Sequence, residues 1–495
     1  GHHIAASFYV GSSLGAIFAG DYLTLFIFWE IMAFSSVFLI WYRKRQKSTD
    51  AGYRYLLVHV FGGLLFFTGM MLYYYKTGNL LFDRVSQGGA GLEEYLILAG
   101  FSLNAAVIPL HAWLPDAYPE ATIEGAVFMC AFTTKTAVYV LARGFPGFEV
   151  LAILGTAMTI YGVFYAVIEN DMRRVLAYHI VSQVGYMVAG VGIGTELALN
   201  GACAHAFAHI LYKALLFMGT GAVLYMTGTA KLSKLGGLYK YMPLTMIFYI
   251  VGAISISGFP LFSGFVSKSM IVASAHEEGR IILVLLMNLA GIGTFLSVGL
   301  KVTYFAFFSK EEAPIKAAEP PKNMLWAMGL TSALCFIIGI YPDALYRLLP
   351  FPVEYHPYTR MHLSEMLQIL SFTGLVFFLL VKKLAPEDKL NLDVDWFYRK
   401  GGAVFMWIDN KAISPIDTFW GELYRTCGLR ALFKNAEISY GFDRKVIDGV
   451  VDGSALGVRG FGGIVKKLQT GKIQAYMGFA VLFIVLIVWL LIRGM

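Results

Sequence analysis

Apolar residues run along this chain in blocks of roughly twenty, separated by short polar stretches, and about thirteen such blocks follow one another from end to end. They lie near 3–19, 22–42, 51–75, 92–109, 123–143, 150–169, 174–194, 200–227, 243–275, 281–307, 324–342, 363–383 and 472–494, the ninth being long and interrupted. A bilayer core takes about 20 apolar residues per helix, so each block is predicted to be a transmembrane helix. The two-residue alternation of a membrane β-barrel is absent, and helices are then the way to satisfy the backbone in hydrocarbon. The predicted fold is an all-α polytopic membrane protein. Composition agrees: 58% of 495 residues are hydrophobic, 14% are charged and the mean hydropathy is +0.65.

Basic residues in the short loops set the expected orientation. One side carries Arg43, Lys44, Arg45, Lys47, Arg173, Arg174, Lys231, Lys234, Lys240, Lys310, Lys316 and Lys322; the other has Lys76, Arg84, Arg143, Arg280, Arg347 and Arg360. The richer side is expected to be cytoplasmic, which starts the chain there and places 384–471 on the same side. That segment interleaves charges with Trp396, Phe397, Trp407, Phe419, Trp420, Tyr424 and Phe433 before the final apolar block. The pattern suits a helix lying in the plane of the membrane surface, and half of it would reach roughly 60 Å. A small cap folded on itself is the alternative, because Gly401, Gly402 and Pro415 interrupt the pattern.

The four cysteines, Cys130, Cys203, Cys335 and Cys427, have no metal-site spacing, and no phosphate-binding glycine motif follows a strand-like run. The chain is therefore expected to carry no cofactor, and its chemistry must come from ionisable side chains within the spans. Each costs at least about 2.5 kcal/mol at the bilayer centre. Glu30, His59, Lys135, Lys268 and the trio His205, His209 and Lys213 qualify. The trio is spaced i, i+4, i+8 and so forms a stripe about 12 Å long on one helix face. Histidine changes charge near neutral pH, and burial and neighbouring charges decide how readily a lysine parts with its proton, so the stripe could pass protons. One such histidine alone would be read as a packing residue; ligation of a haem would want a partner on another helix.

Two spans contain a proline beside polar residues, at Pro109 near Asn104 and His111, and at Pro260 near Lys268. Breaks at this depth require a protein or aqueous lining, and paired breaks point to two inverted repeats with discontinuous helices.

The runs PLHAWLPDA from Pro109, DMRRVLAYHIVSQVGYM from Asp171, HAFAHILYKALLF from His205 and GFPLFSGFVSK from Gly258 resemble the antiporter-like subunits of the respiratory complex I superfamily. That group includes proton-channel subunits of NADH:quinone oxidoreductase, Mrp sodium/proton antiporters, and membrane-bound hydrogenases and related ferredoxin-dependent complexes. The tail, with FDRKVIDGVVDGSA, resembles the distal subunit that bears a lateral helix. The resemblance implies a proton- or sodium/proton-translocating, non-catalytic subunit of a redox-driven complex, with a redox-independent antiporter subunit and a non-transporting structural subunit as alternatives. It implies membrane partners, including further antiporter-like subunits braced by the lateral helix, in the plasma membrane. It divides the chain into a first half-repeat at 1–143, a second at 144–310, peripheral helices at 311–383, a lateral segment at 384–471 and an anchor at 472–495. Members of this type have sixteen spans, so thirteen here with a cytoplasmic start imply that the first three, preceding 1–143, are missing.

By position, Glu30 takes the family's mid-membrane glutamate, Lys135 the connecting lysine, His205, His209 and Lys213 the central relay, and Lys268 the exit-side lysine. The family's usual lysine in the first broken helix is replaced by Asn104, whose amide cannot take up and release a proton. Three consequences are open: Glu30 pairs with Lys135 instead, only the second half conducts, or transport is lost.

Overall fold

The computed structural model describes residues 1–310, 317–388 and 392–494; Lys316 lies outside them. They form two units, Gly1–Trp396 and Phe397 onward, each described by itself.

The first unit is a bundle of α1 (His2–Phe18), α2 (Tyr22–Trp41), α3 (Gln46–Thr77), α4 (Leu92–Asn104), α5 (Trp113–Ala117), α6 (Ile123–Ala131), α7 (Thr133–Gly144), α8 (Glu149–Ile168), α9 (Met172–Ile193), α10 (Glu196–Thr227), α11 (Pro243–Ser257), α12 (Ser263–Glu277), α13 (Ile281–Thr294), α14 (Lys322–Ile340), α15 (Asp343–Tyr346) and α16 (Arg360–Leu380). After α13 the helix continues as π turns from Phe295 to Val302 and Tyr304 to Phe308. Ten of the thirteen predicted blocks are helices long and apolar enough to cross a membrane. The other three are the 17-residue α1 and the two broken segments α4–α5 and α11–α12, whose pieces are each shorter than a bilayer needs.

Helix starts follow from local chemistry. Asp21, Thr122, Asp171 and Thr195 accept backbone N–H groups in the first turns of α2, α6, α9 and α10. Helix α9 runs through the core, where every residue from Met172 to Ile193 except Arg174 is buried. Its glycines allow α8 to approach at backbone distance: a β-carbon on Gly185 would lie 2.6 Å from Gly155 O, and one on Gly192 2.0 Å from Ala152 N.

The repeat is visible at a separation of 150 residues. Isolated antiparallel bridges join Asp21 to Leu81 and Asp171 to Lys231. Gly78 and Gly228 end α3 and α10 in the left-handed conformation, and His59 of α3 corresponds to His209 of α10. With the broken helices counted once each, α9 is the fifth span after α2. An odd number reverses chain direction, so the two halves are inverted repeats.

A single helical run begins at Asp395, two residues before the second unit, and continues through that unit to Leu468 as α17 (Asp395–Ile408), α18 (Ser414–Leu423), α19 (Ala431–Phe442) and α20 (Asp448–Leu468) with π turns between them, followed by α21 (Ile473–Arg493). It is not a cap folded on itself. Gly401 and Gly402 stay helical, and Pro415 falls in the first turn of α18 directly after a π turn, where the hydrogen-bond ladder is already re-registered.

Candidate ion pathway

The fully buried residues His205, His209 and Lys213 share one face of α10, with the two imidazole rings 6.4 Å apart. His205 is held from both sides, its Nε2 lying 3.2 Å from Gln183 Oε1 on α9 and its Nδ1 3.0 Å from Ser267 Oγ on α12. The Tyr212 hydroxyl stands 3.3 Å from the same Nε2. Neither ring nitrogen of His209 nor Lys213 Nζ has a protein hydrogen-bond partner among the described residues. Buried polar groups of this kind normally bind ordered water, which is what a proton relay needs.

The other two predicted lysines are differently placed. α6 and α7 are separated at Phe132, a break with no proline or glycine to announce it in the sequence, and Lys135 Nζ donates to the freed carbonyl of Cys130 at 2.6 Å and to Thr134 Oγ1 at 3.1 Å. Lys268 Nζ donates to Ile256 O at 2.9 Å, near the end of α11, and lies over the Tyr186 ring. Helix C-terminal carbonyls carry about half a negative charge, so each lysine is compensated by the helix break beside it. The second break is tight: Leu261 sits at φ 76°, and a β-carbon on Gly339 would meet Leu261 O at 2.1 Å.

Glu30 does not pair with Lys135. Among the described residues it enters no ion pair, and its Oε1 is buried without a hydrogen bond against Gly63, where a β-carbon would lie 1.9 Å from that oxygen. Asn104 ends α4 fully buried, with both amide atoms unpartnered. His59 donates from Nδ1 to Tyr55 O at 2.9 Å and stacks on the Tyr55 ring. The structure thus gathers His205, His209 and Lys213 with Gln183 and Ser267, while Lys135 and Lys268 flank them at the helix breaks. It leaves Glu30 and Asn104 in the first half without a charged partner.

A cavity of about 360 Å³ leads from Lys268 and Tyr186 between α12, α13 and α16 to His276, Glu277, His362 and Glu365. It joins Lys268 to the end of the bundle that carries Arg280.

His179, Gln183 and Lys301 are buried groups missed in the sequence, and His111 was noted there only as a polar neighbour of Pro109. His111 and His179 lay inside the motifs that carry the resemblance, and Lys301 lay inside the tenth apolar block, where its charge was the available signal. His111 stands beside Asp393, which is outside the spans. Its Nε2 is 3.4 Å from Oδ1, an ion-pair distance poorly aimed for a hydrogen bond, while Tyr161 and Tyr178 both donate to the carboxylate, Tyr178 at 2.7 Å. Burial works to raise the Asp393 carboxyl, but His111, Tyr161 and Tyr178 outweigh it and hold it well below the usual carboxylate range. With the folded value lower than the unfolded one, this anchor is fully present above about pH 4 and is lost only as pH falls through the lowered value. Asp393→Ala is expected to speed hydrogen exchange at Val394, whose N–H donates to Asp393 Oδ1 at 2.6 Å, by roughly tenfold at neutral pH; unchanged exchange would show that the carboxylate is not what holds this segment.

Comparison with known proteins bears on the whole arrangement. Over 357 residues the chain is 33% identical to a Na(+)/H(+) antiporter subunit from Alkalihalophilus pseudofirmus, covering 67% of this chain and 71% of that one. It spans only 36% and 47% of two longer curated relatives. Among solved structures it is similar to a chain of the Mrp complex from Dietzia sp. DQ12-45-1b, with a TM-score of 0.65 and 25% identity over 68% of this chain and 74% of that one. It is also similar to a chain of the membrane-bound sulfane sulfur reductase, an archaeal respiratory membrane complex, with a TM-score of 0.64 and 25% identity over 74% and 76%. Residues 19–294, more than half of the chain, match the sequence profile described as NADH:quinone oxidoreductase/Mrp antiporter, TM, and this multi-pass membrane protein belongs to that family.

Proposed function

We propose that the chain is the ion-translocating subunit of a multi-subunit plasma-membrane complex, moving protons, or protons in exchange for sodium, along the line from Lys135 through Lys213, His209 and His205 to Lys268. The observation that carries this reading is the fully buried, unpartnered Lys213 one turn from His209 on α10. The ammonium of a lysine retained at such a site without protein hydrogen bonds among the described residues is costly to bury, and its use is as a group whose protonation changes. The breaks at Phe132 and at Gly258–Phe262 supply carbonyls that compensate the flanking lysines when charged, so a proton can arrive and leave without a bare charge in the core. Glu30, well apart from this line in its bonding, takes part only if a conformational change brings it a partner.

The driving force is supplied by partner subunits, and no redox centre is assigned to this chain. The long helix from Asp395 to Leu468 favours a redox-driven complex, in which it lies along the cytoplasmic surface and braces further antiporter-like subunits. The 33% identity to a Na(+)/H(+) antiporter subunit favours the second reading, exchange without electron transfer. Vesicles containing the whole complex separate the two. Proton flux that needs an electron donor supports the first; flux driven by a sodium gradient alone supports the second; and the absence of flux under both conditions would leave a structural subunit.

A further inference from the structure

The relay on α10 has a side connection that the family resemblance does not assign. On α9, His179 and Gln183 are four residues apart on one face. Opposite them, Thr294 closes α13, and Ser297 and Lys301 follow in the π-helical continuation. The two rows are joined by hydrogen bonds: His179 Nε2 lies 2.6 Å from Ser297 Oγ, and Gln183 Nε2 3.5 Å from Thr294 Oγ1. Gln183 is also the residue whose carbonyl oxygen meets His205. All of these groups are buried, and short π-helical stretches inside α-helices are frequent at functional sites.

The far end of the row reaches a different part of the molecule. Lys301 Nζ donates to Val167 O at 2.6 Å, in the last turn of α8, and to Glu169 O at 2.8 Å, just after it. The Glu169 carboxylate lies 3.5 Å from Arg174 Nε, whose side chain is 40% exposed. A row of polar groups therefore extends from the Glu169–Arg174 end of the bundle through Lys301, Ser297 and His179 to Gln183 and His205, hydrogen-bonded directly at His179–Ser297 and Gln183–His205, with Lys301 four residues along the π-helical stretch from Ser297. None of it passes Asn104 or Glu30. Ser297 and Lys301 also lie beyond residues 19–294, the stretch that matches the family profile.

We propose that Lys301, Ser297 and His179 form a second proton line, joining the central relay to the Glu169–Arg174 end of the bundle and bypassing the first half, where Asn104 replaces a titratable group. The proposal rests on the transport reading above. The Lys301 ammonium gives one proton, through water between the two side chains, to the Ser297 hydroxyl, which passes its own to the His179 imidazole; only N–H and O–H bonds break and form. The Ser297 hydroxyl already lies between His179 and the Gly293 carbonyl, which it meets at 2.6 Å, so rotation about its own C–O bond is the movement required. His179 Nδ1 is the outgoing atom, buried with no protein partner among the described residues and suited to a water bridge toward Gln183 and His205. Lys301 regains its proton from the Glu169–Arg174 end.

The competing explanation is that Lys301 merely caps the C-terminal carbonyls of α8. Arginine separates the two, because its guanidinium keeps the charge and the donors but does not release a proton. Flux is therefore measured in vesicles holding the whole complex, with wild type, Lys301→Arg, His179→Gln and, as a marker of the relay itself, Lys213→Ala. The expected result is unchanged assembly with flux lowered about tenfold or more in Lys301→Arg and His179→Gln. Wild-type flux in Lys301→Arg would overturn the proposal and leave Lys301 as a cap. If Lys301→Arg does not assemble, His179→Gln decides alone, since glutamine keeps a hydrogen bond to Ser297 without carrying a proton. Wild-type flux in Lys213→Ala would instead overturn the transport reading. Loss in Lys213→Ala beside full flux in the other two would remove only the side line.

Discussion

Lys213→Ala is expected to lower ion flux by roughly 10²–10⁴-fold, the range typical of removing a positioned proton donor, while the complex still assembles. Both halves of this expectation follow from the site. The Lys213 ammonium nitrogen makes no protein hydrogen bond, so truncation leaves no orphaned partner in the core. It also removes a group whose charged form is costly to bury, which offsets part of the packing lost with its methylene stem. Lys135→Ala provides the contrast, because there the Cys130 carbonyl loses its donor and assembly is expected to suffer as well. The measurement is flux normalised to assembled complex. Equal flux in wild type and Lys213→Ala would mean that the buried stripe on α10 conducts nothing and that the subunit acts as a scaffold.

The second large effect is structural. Gly155→Leu and Gly185→Leu are expected to prevent accumulation of folded protein. A β-carbon on Gly155 would lie 2.3 Å from Ala189 N, and one on Gly185 2.6 Å from Gly155 O and 2.8 Å from Thr159 N. These are backbone atoms of two helices packed along their length, so relief requires α8 and α9 to separate. Overpacking a well-filled core costs about 1–3 kcal/mol even where side chains can yield, and more where they cannot. Separation would also part Ser297 and Lys301 from their partners on α9 and at the end of α8. Gly374→Ala is the matched control, since nothing lies within 4 Å of a β-carbon there and alanine favours a helix. Recovery of folded protein after detergent extraction reads the difference, and near-normal recovery of Gly185→Leu would show that the α8–α9 contact is not a strict requirement.

Chain-local properties carried much of the architecture into the sequence. Ten apolar blocks became membrane-length helical segments, nine of them without a break between α-helices, because hydropathy over some twenty residues reports directly on whether a segment is stable in lipid. The prolines at 109 and 260 marked real interruptions, since a missing N–H and a ring clash act within one turn. The interruption at Phe132 carried no proline or glycine, and only its neighbours in the folded bundle reveal it. Likewise, Gly401, Gly402 and Pro415 suggested breaks in the surface segment that the long helix absorbs.

By itself the sequence determined the class of protein, the helix series, the two main breaks and the stripe His205–His209–Lys213, because each depends on residues within a few turns of one another. Partner choice was decided by the tertiary structure. Lys135 and Lys268 bond to carbonyls at helix breaks, Glu30 rests against Gly63 rather than Lys135, and His179 meets Ser297 from 118 positions away. Hydropathy and periodicity say which face of a helix avoids lipid, but they are blind to which other helix covers it. That is set by how closely the helices approach, as the glycines that let α8 and α9 meet at backbone distance show.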